Sequence, residues 1–108
     1  MGVEIVNREG GDGKTFPTVG KKVKCHYIGK LESGTVFDSS YDRREPIEFI
    51  IGIGQVIKGW DEGIQKLSKG EKATLICSAD YGYGNIEVGE GMIPKNSTLI
   101  VDVELLSF

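Results

Sequence analysis

Hydrophobic and polar residues alternate over several short stretches, the period of strands with one face in a core. Val23, Cys25 and Tyr27 take one side and Lys22, Lys24 and His26 the other. Leu31-Glu32-Ser33-Gly34 then supplies turn residues before Thr35 to Asp38, which predicts a hairpin. Ile47 to Ile51 is a further short strand between Pro46 and Gly52, and Lys72 to Ser78 sets Ala73, Leu75 and Cys77 inward. The clearest alternation lies near the end of the chain, with Leu99, Val101, Val103 and Leu105 opposed to Ile100, Asp102 and Glu104; Val3 to Val6 is a weaker first strand.

One segment has helical spacing. Ile57, Trp60, Ile64 and Leu67 share a face, with Lys58, Asp61, Glu62 and Lys66 largely opposite. It contains Gly59 and Gly63, each costing about 1 kcal/mol relative to alanine in a helix interior, so tertiary packing must hold it. The two glycines are four residues apart and lie on one side, where a strand or loop can approach the backbone. The expected architecture is α+β, an antiparallel sheet of five to six strands, a half-barrel, wrapped around one short α-helix. Three stretches have no regular pattern: Gly10 to Gly20, Ser39 to Glu45, and Tyr81 to Asn96. The last is long enough that a compact domain would use it for function.

With 108 residues, one domain spanning 1–108 is expected. The sixteen glycines are about twice the usual share, yet no triplet period accompanies them and only three prolines do, which excludes collagen and low-complexity disorder. Net charge is −3, with no basic stripe for nucleic acid; Lys21, Lys22 and Lys24 read as a solvated strand face. The longest stretch without a charge, Phe49 to Ile57, is nine residues and cannot span a bilayer. Neither a signal-peptide core nor a myristoylation pattern is present, and Cys25 and Cys77 fall inside apolar alternations, as buried free thiols do. A cytoplasmic protein follows as the expectation, with no membrane or nucleic-acid partner and Asn96-Ser97-Thr98 an idle sequon.

The usual catalytic parts are missing. Gly52-Ile53-Gly54 lacks the third glycine of a dinucleotide fingerprint, no P-loop occurs, and Gly11-Asp12-Gly13 lacks the other oxygen ligands of a calcium loop. His26 is the single histidine and stands on a strand without a nucleophile pattern near it. No metal or cofactor is expected. Aromatic residues are what remain: Tyr27, Phe37, Phe49, Trp60, Tyr81 and Tyr83, of which Trp60, beginning a short helix after Val56-Ile57, is placed to floor an exposed pocket.

Five strings go further. Val23-Lys24-Cys25-His26-Tyr27-Ile28-Gly29, Gly34-Thr35-Val36-Phe37-Asp38-Ser39-Ser40, Val56-Ile57-Lys58-Gly59-Trp60-Asp61-Glu62-Gly63, Asp80-Tyr81-Gly82-Tyr83-Gly84 and Ile93-Pro94-Lys95-Asn96-Ser97-Thr98-Leu99 resemble, in order, the FKBP family, the tacrolimus-binding immunophilins, and in particular its small single-domain cytosolic members. The resemblance implies a peptidyl-prolyl cis-trans isomerase that also binds tacrolimus and rapamycin, a monomer whose drug complexes meet calcineurin and the TOR kinase. It implies Trp60 as the pocket floor, with Tyr27, Phe37, Phe49, Val56 and Ile57 as walls. The Ile57 N–H and the Tyr83 hydroxyl would donate to a peptide or drug carbonyl, and Asp38 would lie at the edge, held by Tyr27 and paired with Arg43. Gln55, Ile93 and Val101 complete the binding residues that it implies.

Against the family's pattern, Val101 and Ile47 stand where bulky aromatics are usual, which should widen the pocket and weaken ligand packing by about 1 kcal/mol or more. The segment from Gly84 to Pro94 is one residue longer than in typical small members and brings Glu87 and Glu90, an acidic lip that would favour substrates carrying Lys or Arg beside the proline.

Overall fold

A computed structural model describes residues 2–88 and 92–108. Strand β1 (Val3–Gly10) is followed by β2 (Lys22–Leu31), β3 (Val36–Ser39), a single helical turn α1 (Ser40–Arg43), β4 (Ile47–Ile50), the helix α2 (Lys58–Gly63), β5 (Glu71–Cys77) and β6 (Leu99–Ser107). Short 3-10 turns at Ile64–Lys66 and Ala79–Tyr81 follow α2 and β5. All pairings are antiparallel, in one six-stranded sheet of order β1-β5-β6-β2-β3. The long β2 is shared on one edge, its first half pairing with β4 and its second half with β3.

Register explains the core. Tyr27 faces Val103, which faces Ala73, and Gly29 faces Val101, which faces Leu75, so the inward residues of β2, β6 and β5 form continuous rows. Trp60, Ile64 and Leu67 cover these rows from the other side, all buried. Burying side chains of this size contributes about 1.5–3 kcal/mol each, which holds a helix that its glycines would otherwise weaken. The glycines also allow the fit: a Cβ on Gly59 would overlap the Cys77 thiol, and one on Gly63 would come within 3.2 Å of Leu75 Cδ2. No helix among the described residues is long and apolar enough to cross a membrane.

Two local readings change. The stretch from Ser39 to Glu45, expected as loop, contains α1, a helix too short to leave a periodic signature; it ends at Arg44 in the left-handed conformation (φ 55°). Asp61, expected on the solvent side of α2, is buried. Its carboxylate accepts from Gly52 N–H (2.9 Å) and Gly54 N–H (2.8 Å). Both glycines have positive φ, so the turn presents its amides to the helix, and a charge buried there is compensated by two donors. That turn leads directly into Gln55, Val56 and Ile57.

Candidate active site

The concave side of the sheet and the start of α2 enclose a cavity of about 440 Å³. Its floor is Trp60, which meets Tyr27 edge-to-face with ring centroids 4.8 Å apart. Phe37, on β3, leans over Gly29; a Cβ at that position would lie 2.6 Å from the Phe37 ring. A glycine in the middle of β2 is thus the room in which Phe37 turns toward the cavity. The opposite wall is aliphatic, with Val56 and Ile57 from the segment before α2, Ile47 from β4, and Leu99 and Val101 from β6.

Asp38 lies at the rim with both oxygens engaged. Tyr27 donates its hydroxyl to Oδ2 (2.5 Å), while Arg43 Nη1 (2.5 Å) and Ser39 N–H (2.8 Å) donate to Oδ1. Arg43 Nη2 donates in turn to the Tyr27 oxygen (2.8 Å). Burial pushes the Asp38 carboxyl upward, but these donors outweigh it and leave the group below the usual aspartate range. Burial and the bond to Asp38 raise the Tyr27 phenol. Asp38 is therefore an ionised acceptor with both oxygens engaged and a lowered basicity, suited to fixing Tyr27 and poorly suited to removing a proton.

Tyr83 and Ile57 each bring an uncommitted donor to this region. The Tyr83 hydroxyl has no hydrogen-bond partner among the described residues, and burial together with the nearby Asp38 charge raises its pKa, so it keeps its proton. The Ile57 N–H, immediately before α2, likewise makes no hydrogen bond to a described residue. Gln55 accepts at Oε1 from Ile50 N–H (2.7 Å), which fixes its amide and leaves Nε2 as a further donor on an exposed side chain.

The structure thus gathers Tyr27, Phe37, Asp38 and Gln55 with Val56, Ile57, Trp60, Tyr83 and Val101 around one space. Arg43 joins them through Asp38. Phe49 and Ile93 stand apart: Phe49 is buried against Trp60, 5.9 Å between centroids, and Ile93 is buried and bridged to Val88, so both belong to the packing behind the cavity rather than to its surface. Gly29, Leu99 and Asp61 had drawn no functional reading from the sequence. Only Gly29, a glycine interrupting a strand, left a signal there. Glu87 is exposed beyond Tyr83; Glu90, with Gly89 and Gly91, lies outside the described residues.

The remaining reactive groups are elsewhere. His26 is on the outer side of β2, with Nδ1 2.8 Å from Ser40 Oγ and its ring stacked on Tyr41 at 4.5 Å. Cys25 and Cys77 are buried free thiols, pushed by burial up to about 12 and about 11. The cavity can therefore offer shape, an apolar surface and free donors, which suits a reaction without bond making.

Comparison with known proteins identifies that reaction. The profile described as FKBP-type peptidyl-prolyl cis-trans isomerase matches residues 13–106. The peptidyl-prolyl cis-trans isomerase Fkbp12 of Drosophila melanogaster is 57% identical over 106 residues, covering 98% of this chain and 97% of its own. FK506-binding protein 1 of Saccharomyces cerevisiae is 56% identical over 104 residues, 96% of this chain and 90% of its own. The crystal structure of AtFKBP13 superposes with a TM-score of 0.87 at 38% identity, covering 97% of this chain and 91% of that one. With sequence, fold and an apolar cavity in agreement, the chain belongs to the FKBP-type peptidyl-prolyl cis-trans isomerases.

Proposed function

We propose that the cavity over Trp60 is the isomerase site, that residues 1–108 act as a single catalytic unit, and that the same space receives tacrolimus and rapamycin. The observation that carries this reading is the pairing of an aromatic floor with two uncommitted donors, the Ile57 N–H and the Tyr83 hydroxyl, at the edge of one cavity.

The X–Pro bond has partial double-bond character and a rotation barrier of about 18–20 kcal/mol. At the perpendicular geometry the amide loses resonance, and its carbonyl becomes less dipolar and less dependent on water. An apolar enclosure therefore favours the twisted form over the planar one. The proline ring rests on Trp60 between Tyr27 and Phe37, while Val56, Ile57 and Val101 exclude solvent from the bond that turns. Ile57 N–H and Tyr83 donate to the carbonyls on either side and hold the chain while one amide rotates. A rate gain of about 10⁶ would take roughly 8 kcal/mol of differential stabilisation, drawn from desolvation and fixed dipoles rather than from acid or base chemistry.

The names of the yeast relatives as FK506-binding proteins support the drug reading. By the same family resemblance, the drug-filled cavity would be recognised by calcineurin or the TOR kinase, with the protein a cytoplasmic monomer acting on proline-containing peptides and proteins. Trp60 is the single tryptophan, so its emission reports on the cavity directly. Titration with tacrolimus should shift Trp60 emission at one drug per chain and abolish turnover of a proline peptide at the same concentration. Inhibition that leaves Trp60 emission untouched would place the site elsewhere.

A further inference from the structure

The Ile57 N–H and the Tyr83 hydroxyl belong to different segments. Ile57 N–H opens α2, whereas Tyr83 follows the 3-10 turn Ala79–Tyr81, which packs on β6 through Gly82, where a Cβ would lie 2.9 Å from Leu99 Cδ1. Close packing joins the two backbones near one point, where a Cβ on Gly59 would come within 3.2 Å of the Tyr81 carbonyl oxygen. Gly82 against Leu99 and the Asn96 N–H donated to the Gly84 carbonyl (2.7 Å) hold the turn from its other side; toward α2 a side chain adds a directional contact. Lys58 Nζ lies 4.6 Å from the centroid of the Tyr81 ring, one residue after Ile57 and two before Tyr83. Beyond Tyr83, Gly84 N–H donates to the Ala79 carbonyl (2.7 Å), so the short span that carries Tyr83 is closed at its base and moves with the turn.

We propose that Lys58 is a positioning residue for the isomerase: its ammonium, seated on the Tyr81 ring, sets the Tyr83 hydroxyl at the right separation and angle from the Ile57 N–H. The inference rests on the reading above, in which both donors hold carbonyls of the substrate. Its physical basis is that a cation over an aromatic face is directional and survives replacement by another cation of similar reach but not by an isosteric neutral chain. Asp80 also feels the Lys58 charge, but it bonds to Ser78 and does not line the cavity, so its removal should leave the stack in place.

The test measures kcat/KM on one chromogenic proline peptide for the wild type, Lys58→Met, Lys58→Arg, Tyr83→Phe and the Lys58→Met, Tyr83→Phe double variant, with melting temperature for each. Lys58→Met should lower kcat/KM by about three-fold, the size that an exposed cation–π contact allows. Lys58→Arg should restore the wild-type value, and in the Tyr83→Phe background Lys58→Met should cost nothing more. A merely structural lysine would lower activity equally with or without the Tyr83 hydroxyl, and that result overturns the proposal. So does equal loss in the Met and Arg variants. If Tyr83→Phe is slow and Lys58→Met is not, the positioning role fails while the site reading stands; if Tyr83→Phe is as fast as the wild type, the reading of Tyr83 fails and the role of Lys58 with it.

Discussion

The sheet carries a hollow on each face, and they are nearly the same size. The concave one, over Trp60, has a volume of about 440 Å³; the convex one, behind β1, β5, β6 and β2, has about 470 Å³. They share strands, and alternation assigns Val101 and Tyr27 to the first and Asp102 and Ile28 to the second. They differ in what their polar groups are doing. On the convex face Thr74 donates to Asp102 (2.7 Å), Lys30 closes on the other Asp102 oxygen (2.8 Å), and the Tyr41 hydroxyl points to Glu104 (3.4 Å). A ligand entering there would compete with bonds already made and leave desolvated partners behind. On the concave face the rim carboxylate has both oxygens engaged, yet Ile57 N–H and Tyr83 still have a bond to give. The convex face also has Lys72 without a partner among the described residues, but that ammonium is exposed and stands over no buried aromatic ring; free donors above the buried Trp60 floor, rather than volume, distinguish the site from the dent.

The largest test of this contrast removes the floor. Trp60→Leu should lower kcat/KM at least ten-fold while the chain still folds, since leucine keeps part of the apolar contact; truncation to alanine should cost about 3–5 kcal/mol of stability as well. Thr74→Val on the convex face should leave kcat/KM within a factor of two. Comparable losses from both substitutions, measured with melting temperatures on the same samples, would erase the distinction between the faces.

A second test refills each hollow. Val101 is buried in the concave wall, at 1% exposure, on a strand where the resemblance leads one to expect an aromatic ring. Val101→Phe should tighten tacrolimus and lower the KM for peptide by about five-fold, the value of one ring contact near 1 kcal/mol. Thr74→Phe should do neither. A Val101→Phe protein that binds more weakly would show that the cavity is already filled by its ligand and that valine is the fitted residue.

The strands were legible because each has one face in the core, so burial writes its period directly into the sequence. The two glycines of α2 were legible for a similar reason: their spacing only makes sense if something approaches the helix closely, and Cys77 and Leu75 do. Asp61 was not legible, because its burial depends on amides of a turn formed seven to nine residues earlier, and no periodicity marks a carboxylate for that use. Nor could α1 be seen, with four residues and no apolar stripe. In the site, residue types named the walls, but depth did not follow from type. Phe49 is as aromatic as Phe37, yet Phe49 points in behind Trp60 while Phe37 has the vacancy above Gly29 in which to turn outward.

A third test uses acid. Asp38 on one face and Asp102 on the other both lie below the usual aspartate range: burial raises each, and Tyr27 with Arg43, or Lys30 with Thr74, more than compensates. A carboxylate depressed in the folded state stabilises the fold above its unfolded pKa, near 3.9, and that contribution is lost as pH falls through the folded value. Both side chains are more than a third exposed, so each effect is small. Asp38→Asn and Asp102→Asn should therefore each flatten the acid limb of stability slightly. Only Asp38→Asn should also lower kcat/KM, by a few-fold, because it frees Tyr27 and Arg43 at the cavity rim. An equal activity loss from Asp102→Asn would mean that the two faces are coupled through β6 and β2.

The smallest expected effect is at the lip. Glu87 is exposed on the segment that follows Tyr83, and no ion pair engages it among the described residues. An exposed carboxylate near the cavity mouth raises the local concentration of cationic substrate without touching the bond that rotates, so it acts on encounter more than on turnover. Two peptides differing only in a flanking Lys or Glu separate that contribution from the chemistry they share. The Lys-to-Glu ratio of kcat/KM should fall by about 1.5-fold in Glu87→Gln at low ionic strength, by more when Glu90→Gln is added, and the difference should vanish at 1 M salt, where the screening length is about 3 Å. A ratio that does not change, or one that survives salt, would place Glu87 outside the reach of the substrate and leave the preference to the apolar walls alone.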